Sequence, residues 1–240
     1  MRKAVPSSKG SRTSHAASAP TKSANVVVRL GRRPGATDTK ERILDAAELM
    51  FATHGFSAAP LRQVAASAKV NQALLFHYFG SKEGLYHAVF LRRGKHLASE
   101  RLRRLDVLET RGAPSVEKLI EAYLLPAFEL KRQGAGGMAF LRLQSRLHAE
   151  PDDLTRDLRA SAYDESMQRY LAAFGRALPK LAAKTLYWRM VFCVGAYLYT
   201  VADLHRMSAL TGGQCDPTDL DESLKQLIGF IRGGLQSREP

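Results

Sequence analysis

The sequence predicts an all-α fold, in which a small N-terminal helical unit is followed by a larger one. Beyond residue 37, apolar side chains recur at intervals of three and four residues, which is the spacing of amphipathic helices. Capping residues, glycines and prolines divide this pattern into segments of helical length. The alternation expected of a β-strand is found only at residues 26–29, ahead of the helical part.

The first 37 residues predict a basic, disordered arm. They contain eight Lys and Arg residues and no acidic residue, in a chain whose net charge is +13. Residues 4–24 are rich in Ser, Ala and Pro, a composition that does not form a packed core. The arm either binds a polyanion (nucleic acid or an anionic membrane surface), or it is a solubilising tail or the product of a misassigned start codon. Its arginines at residues 31–35 could enter a DNA minor groove or attract phosphates without specificity.

Four helices are predicted over residues 38–91, which we assign to one domain. Thr37 or Asp38 can cap the first helix, and Gly55 can end it. Pro60 opens the second helix, where its missing N–H carries no penalty, and Ser81 caps the fourth. The buried stripe of the first helix is Ile43, Ala46, Ala47, Met50 and Phe51.

The second and third helices are short and are joined by a tight turn at residues 67–69, with Asn71 placed to cap the third. This is the layout of a helix-turn-helix, whose second helix lies in the major groove of DNA. Leu75 and Phe79 are four residues apart and would anchor that helix to its domain. The pattern therefore predicts duplex DNA as a partner, a dimer, and no catalysis.

Several side chains of the third helix suit contact with DNA. Gln72 can pair with adenine, Ala73 can meet a thymine methyl group, and Tyr78 can donate to phosphate. Lys82, in the first turn after Ser81, can hold a phosphate together with the helix N-terminus. The other candidates in this helix are Leu74, Phe76 and His77. The alternative is that the aromatic side chains only fill the domain core.

The segment from Val70 to Leu85 resembles the TetR family of transcriptional regulators. It reads VNQALLFHYFGSKEGL, where the family pattern is roughly V-S-x-G-x-L-Y-x-H/Y-F-x-S/G-K-D/E-x-L. The resemblance extends back through residues 43–51 and Gly55-Phe56 and covers about residues 38–91. It implies a sequence-specific regulator, a repressor released from a palindromic operator by a small hydrophobic effector. It also implies that Arg62, the recognition-helix positions named above and Lys82 contact DNA.

Three positions depart from the family pattern. Lys69 stands in the turn where the family usually has glycine, and a left-handed backbone at such a residue costs about 1–2 kcal/mol. Either the turn is reshaped, or Lys69 offsets this strain by contacting phosphate. Asn71 replaces the usual hydroxyl cap and caps equally well. Ala59-Pro60 replaces a common Thr-Ser pair and removes a phosphate-binding hydroxyl.

Residues 92–236 are predicted to form a helical ligand-binding and dimerisation domain. Its helices are expected at about residues 115–132, 138–148, 152–178, 181–208 and from 220 onward. In the family, the last two helices usually form a four-helix dimer interface, and an isologous dimer matches a palindromic operator. The alternative is that their apolar residues are core of a monomer. The candidates for the interface are Trp188, Val191, Phe192, Gly195, Tyr199, Leu224, Leu227, Ile228 and Ile231.

The resemblance also implies a pocket for a small molecule among the C-terminal helices. An apolar, aromatic lining would suit a hydrophobic effector, although each candidate could equally be core. Residues 177–180, 186–192 and 195–196 resemble a subgroup that responds to fatty acids or acyl-CoA. The candidate lining residues are Phe128, Phe140, Tyr163, Met167, Tyr170, Phe174 and Tyr197.

Other classes of protein lack their signatures. The seven histidines show no metal-ligand spacing, and neither a G-x-S-x-G elbow nor a phosphate-binding loop after a strand is present. The longest uncharged apolar run, residues 190–202, is shorter than the roughly 20 residues that span a bilayer. We therefore expect a soluble, cytoplasmic regulator without enzymatic activity, metal or cofactor. A helical interaction protein would explain the charge but not the pattern of residues 70–85.

Overall fold

The computed structural model describes residues 36–202, 205–216 and 218–238. The strand candidate at residues 26–29, the arginines of residues 31–35 and nearly all of the predicted basic arm lie outside these ranges. The described part is helical throughout and contains no strand, so the all-α prediction is confirmed. Its helices are α1 (Ala36–Ala58), α2 (Leu61–Ser67), α3 (Gln72–Phe79), α4 (Lys82–Glu109), α5 (Val116–Arg132), α6 (Ala135–Arg146), α7 (Asp152–Ala177), α8 (Ala183–Ala202), α9 (His205–Leu210) and α10 (Leu220–Gln236).

The first three helices and the start of α4 form a small unit, which we call the head. Ile43, Ala47 and Phe51 of α1 are fully buried, as their spacing predicts. Tyr86 of α4 packs edge-on against Phe51, with 5.0 Å between the ring centroids, and against Phe56 at 5.2 Å. This aromatic cluster joins the end of α1 to the first turns of α4.

A break in α1 at Gly55 shapes this corner of the head. Gly55 has φ +76°, a left-handed value that glycine adopts without a Cβ clash. The sequence predicts that Gly55 ends the helix, whereas helical structure resumes after the kink and runs to Ala58. The kink removes the regular helical geometry around Phe56, whose backbone N–H then needs another acceptor.

Helix α4 connects the head to the remaining helices, which we call the body. Its 28 residues span about 42 Å at 1.5 Å per residue. The helix packs against α1 in the head and against α5 and α7 in the body. The expected boundary between residues 91 and 92 falls inside α4, and the described residues belong to one compact unit. The division into two domains stays a prediction.

In the body, the apolar stripe of α10 packs on α5 and α8. Leu224, Leu227 and Ile231 are buried in this way, and Ile228 is half-buried. These four residues were expected at a dimer interface, but the stripe is taken up by the chain's own helices. The one helix expected over residues 181–208 is described as α8 and α9. No described helix has the length and apolar character needed to cross a membrane.

Candidate DNA-binding surface and effector cavity

The turn between α2 and α3 has a left-handed residue at Lys69. Lys69 has φ +55° and is the only non-glycine residue of the described chain with positive φ. Its N–H donates to Ala66 O at 3.1 Å, and Val70 N–H donates to Ala65 O at 3.0 Å. These bonds form a Schellman motif, in which the left-handed position is usually glycine. The turn is therefore not reshaped, and Lys69 carries the backbone strain.

Lys69→Gly is expected to stabilise the protein by up to about 1 kcal/mol, because glycine relieves the left-handed backbone strain. The greater conformational entropy of glycine in the unfolded chain offsets part of this stabilisation. Lys69→Ala is the matched control, since it removes the same charge and keeps the strain. Urea denaturation measures both free energies of unfolding. If the two variants are equally stable, the turn is unstrained. Both should weaken DNA binding equally if Lys69 contacts phosphate.

Helix α3 is capped and anchored as a recognition helix requires. The Asn71 side chain accepts a hydrogen bond from Leu74 N–H at 2.8 Å, and Leu75 is buried against the head. Phe76 is 42% exposed and His77 is exposed, so neither of them fills the core. The other exposed candidates are Arg62, Lys69, Asn71 and Ala73, while Gln72, Leu74 and Tyr78 are half-buried.

The start of α4 packs against α3. Ser81 accepts a hydrogen bond from Gly84 N–H at 2.9 Å, as an N-cap should. A Cβ at Gly84 would lie 2.1 Å from Phe79 O, so only glycine fits where α3 and α4 meet. Lys82 donates from Nζ to Ser57 O at 2.8 Å and lies 5.4 Å from the centre of the Phe56 ring. Lys82, expected on phosphate, thus also ties α4 to the end of α1.

A cavity of about 760 Å³ that is open to the surface lies between α6, α7 and α8. Its walls include Met167 and Leu171 of α7 and Met190, Val194 and Leu198 of α8, so the lining is mostly apolar. The volume falls in the range of small-molecule sites, and the lining suits an apolar ligand.

The polar groups of the cavity carry no charge. The Ser145 hydroxyl lies 3.1 Å from Leu198 O and 3.2 Å from Leu141 O and shares its single proton between these two carbonyls. Burial, followed by the repulsion of nearby Arg159, lowers the pKa of His148, so its imidazole is neutral at pH 7. The remaining hydroxyls are those of Tyr187 and Tyr199.

The residues expected to line a pocket lie elsewhere, apart from Met167. Tyr163 accepts a hydrogen bond from Gln144. The other five residues are 0–1% exposed and belong to the closed core. Large aromatic side chains at helical spacing commonly fill the centre of a helical bundle. These five are Phe128, Phe140, Tyr170, Phe174 and Tyr197. Conversely, three residues expected at the dimer interface line the cavity, namely Val191, Gly195 and Tyr199.

An exposed apolar face runs along α8 and α10. Phe192 is 64% exposed and Phe230 is 71% exposed. Trp188 stacks on Phe192, with 6.0 Å between the ring centroids. Phe230 and Tyr199 line one depression between the two helices, so all four aromatic side chains belong to one face. The sequence pattern did not indicate Phe230 as an interface residue, because Phe230 lies beside the apolar stripe of α10 rather than within it.

The cavity wall is hydrogen-bonded to the head. Arg146, the last residue of α6, donates from Nη2 to Thr53 O at 3.1 Å. Glu150, in the turn that follows, accepts Phe56 N–H at 2.8 Å. Ser145 and His148, which alternate with these two residues along the chain, line the cavity. The same segment thus contacts both the cavity and the end of α1.

Comparison with known protein families gives two matches that correspond to these two parts. Residues 43–89, in the head, match the family described as "Bacterial regulatory proteins, tetR family". Residues 121–234, in the body, match "Tetracyclin repressor-like, C-terminal domain". Together the two matches cover about two thirds of the chain.

Two curated relatives are named as repressors. The chain is 38% identical over 60 residues to the HTH-type transcriptional repressor SCO4008 of Streptomyces coelicolor, covering 25% of this chain and 31% of that protein. It is 27% identical over 141 residues to the HTH-type transcriptional repressor NemR of Escherichia coli, covering 59% of this chain and 67% of that protein. The chain thus spans under a third of SCO4008 and about two thirds of NemR.

Solved structures share the fold. The fatty acid degradation regulator FadR of Bacillus halodurans aligns with a TM-score of 0.55 at 18% identity, over 86% of this chain and 100% of that one. A TetR family regulator from a Shewanella species aligns with a TM-score of 0.59 at 20% identity, over 80% and 95%. At this identity the likeness shows the shared fold, and the family assignment rests on the two family matches and the relatives. The chain belongs to the TetR family of helix-turn-helix transcriptional regulators.

Proposed function

We propose that the protein is a repressor that binds a palindromic operator as a homodimer and releases it when a small apolar molecule enters the cavity. The observation that carries this proposal is the recognition helix α3, which is capped by Asn71, anchored by Leu75 and exposed at Phe76 and His77. The curated relatives SCO4008 and NemR are both named repressors, which supports the sign of regulation. No enzymatic step is part of this role.

The proposed DNA contacts divide by chemistry. Ala73 and Phe76 offer apolar surface to thymine methyl groups, and Gln72 offers an amide to adenine. Arg62 at the start of α2 and Lys69 in the turn before α3 supply positive charge for phosphates, which sets affinity rather than sequence preference. The remaining contacts of the proposed set are Asn71, Leu74, His77, Tyr78 and Lys82.

The exposed face of α8 and α10 supports the proposed homodimer. Trp188, Phe192, Tyr199 and Phe230 are each more than half exposed, and a cluster of exposed large apolar side chains is typical of a protein–protein interface. Pairing this face with itself about a two-fold axis buries it and fixes two heads relative to each other. Each head can then occupy a half-site of a palindrome, with half-sites about one helical turn of DNA apart.

The effector is proposed to be hydrophobic, because the cavity between α6, α7 and α8 is lined almost entirely by apolar atoms. A fatty acid or an acyl-CoA fits this description. The Bacillus halodurans protein is named as a fatty acid degradation regulator, but its low identity to this chain supports only the shared fold.

Fluorescence anisotropy on a duplex from the gene's own upstream region, against a scrambled duplex and over a salt series, tests the proposal. We expect a preference of about 10³-fold for the upstream duplex. Arg62→Ala should weaken binding about tenfold and lower the salt slope by about 1, the change expected for one lost phosphate contact. Arg111→Ala is the matched control, because Arg111 is exposed just past the far end of α4.

One outcome would exclude an operator in the upstream region, and a second would contradict the assigned docking surface. Equal affinity for both duplexes with a steep salt slope would show only phosphate attraction, and the operator would then have to be sought genome-wide. Equal effects of Arg62→Ala and Arg111→Ala on specific binding would show that the assigned docking surface is wrong.

A further inference from the structure

One arginine of the body is buried without a counter-charge. Arg101 of α4 is 2% exposed. Its Nε donates to Tyr123 O at 2.9 Å, and its guanidinium carbon lies 3.9 Å from the centre of the Tyr123 ring and 5.2 Å from that of Tyr197. Its Nη2 is buried and has no hydrogen-bond partner among the residues that the structure describes.

The other arginines of α4 contrast with Arg101. Each of them is partly exposed and forms an ion pair with a carboxylate: Arg92 and Arg93 with Glu48, Arg103 with Glu100, and Arg104 with Glu129. No Asp or Glu of the described chain lies within ion-pair distance of Arg101. The most deeply buried arginine of α4 is therefore the only arginine of that helix without an acidic partner among the described residues.

The groups around Arg101 do not neutralise its charge. They include the phenols of Tyr163, Tyr170 and Tyr197, and burial raises the pKa of each phenol above its ordinary value. All three are neutral at physiological pH. Stacking on ring faces offsets part of the desolvation penalty of a cation, but an anion at hydrogen-bonding distance offsets far more.

A second unfilled donor lies in the same cluster. The Tyr163 hydroxyl accepts a bond from Gln144 Nε2 at 3.0 Å, and its own proton has no acceptor among the described residues. Gln144 Oε1 in turn accepts from the Tyr197 hydroxyl at 2.8 Å. Gln144 directly precedes Ser145 of the cavity wall, and Tyr197 directly precedes Leu198 of that wall. The cluster and the cavity thus share α6 and α8.

We propose that Arg101 binds the acidic headgroup of the effector, which is an organic carboxylate with an apolar body. The carboxylate accepts hydrogen bonds from Arg101 Nη2 and the Tyr163 hydroxyl, and the apolar body lies in the cavity. The headgroup reaches Arg101 when the hydrogen bonds of Gln144 to Tyr163 and Tyr197 open. This inference rests on the proposed role as an effector-regulated repressor, and it adds the charge of the effector and the residue that selects it.

Thermal unfolding of the full chain with octanoate, dodecanoate and hexadecanoate, each compared with its primary alcohol, tests the inference. We expect the acids to raise the Tm of the wild type more than the alcohols do. Arg101→Met should weaken acid binding by about tenfold or more, the loss expected for a charge-assisted hydrogen bond, and should leave alcohol binding unchanged. Arg103→Met, which removes an exposed arginine of the same helix, is the control.

Arg101→Met should fold, because an apolar side chain of similar length replaces an uncompensated buried charge. If it does not fold, Arg101→Lys and the acid-versus-alcohol comparison on the wild type still decide the question. The inference is overturned if no acid raises the Tm, if acids and alcohols act equally, or if a folded Arg101 variant without the guanidinium binds acids like the wild type.

Operator binding without any ligand separates this inference from the proposed function. Arg101→Met should bind the operator like the wild type, since Arg101 lies in the body. Specific DNA binding without acid binding would overturn only the carboxylate proposal. Acid binding without specific DNA binding would overturn only the repressor proposal.

Discussion

A variant carrying both Phe192→Asp and Phe230→Asp is expected to be a folded monomer that binds the operator about 100-fold more weakly than the wild type, or weaker still. The two side chains are 64% and 71% exposed, so the carboxylates are solvated in the monomer and cost its fold little. In a dimer they would be buried as unpaired like charges. A monomer loses the avidity that links two half-sites, which is worth 10²–10⁴-fold in typical bivalent binders.

Three exposed glycines strengthen the assignment of this face. A Cβ at Gly229, Gly233 or Gly234 of α10 would meet no atom within 4 Å. Packing inside the protomer therefore does not require glycine at these positions. Small residues beside large aromatic ones allow two helices to approach closely, with the rings of one filling the spaces of the other.

Val107→Asp is the matched control for the double variant. Val107 is 40% exposed near the far end of α4, so this change adds a carboxylate to an apolar surface position outside the α8 and α10 face. Sedimentation velocity gives the mass of each variant, and anisotropy gives its operator affinity. A double variant that keeps the dimer mass would place the interface elsewhere, whereas a monomeric wild type would remove the dimer from the mechanism.

Local features of the fold could be predicted from the sequence because they depend on few neighbouring residues. Asn71, Ser81 and Ser115 each accept a hydrogen bond from a backbone N–H three residues later, the geometry that their side chains favour at a helix start. Gly55 takes the positive φ that only glycine adopts freely. The recognition helix α3 is one of these local features, since its cap, its anchor and its exposed face lie within nine residues.

Long-range packing could not be predicted in the same way. The stripe of α10 shows which side chains are apolar, but the same stripe serves equally for α5 and α8 of one chain or for a partner. Aromatic side chains at helical spacing are equally ambiguous, since a cavity forms where packing is incomplete rather than where rings are abundant. Phe174 is therefore core and Leu171 lines the cavity, although they lie three residues apart.

A variant carrying both Arg146→Ala and Glu150→Ala is expected to bind the operator nearly as well as the wild type but to respond to the effector about tenfold less. Glu150 accepts a hydrogen bond from the Phe56 N–H, which the kink at Gly55 leaves without a regular helical partner. Arg146 donates a hydrogen bond to Thr53 O. A ligand that moves the cavity wall at Ser145 and His148 is therefore expected to move the end of α1 through these two hydrogen bonds. Coupling between such sites is typically worth about 5–150-fold in affinity, and these two bonds should carry much of it.

The measurement is operator affinity with and without a saturating amount of the strongest releasing compound from the acid and alcohol series, in the variant and in the wild type. Arg156→Ala, which removes an exposed ion pair with Asp152 on α7, is the control for surface charge. Unchanged Tm shifts with the compound would show that the variant still binds it, so a lost response would be lost coupling. A full response in the double variant would show that these two hydrogen bonds do not couple the cavity to the head. Helix α4 would then be the next candidate for this coupling, since its Arg92 and Arg93 form ion pairs with the buried Glu48 of α1.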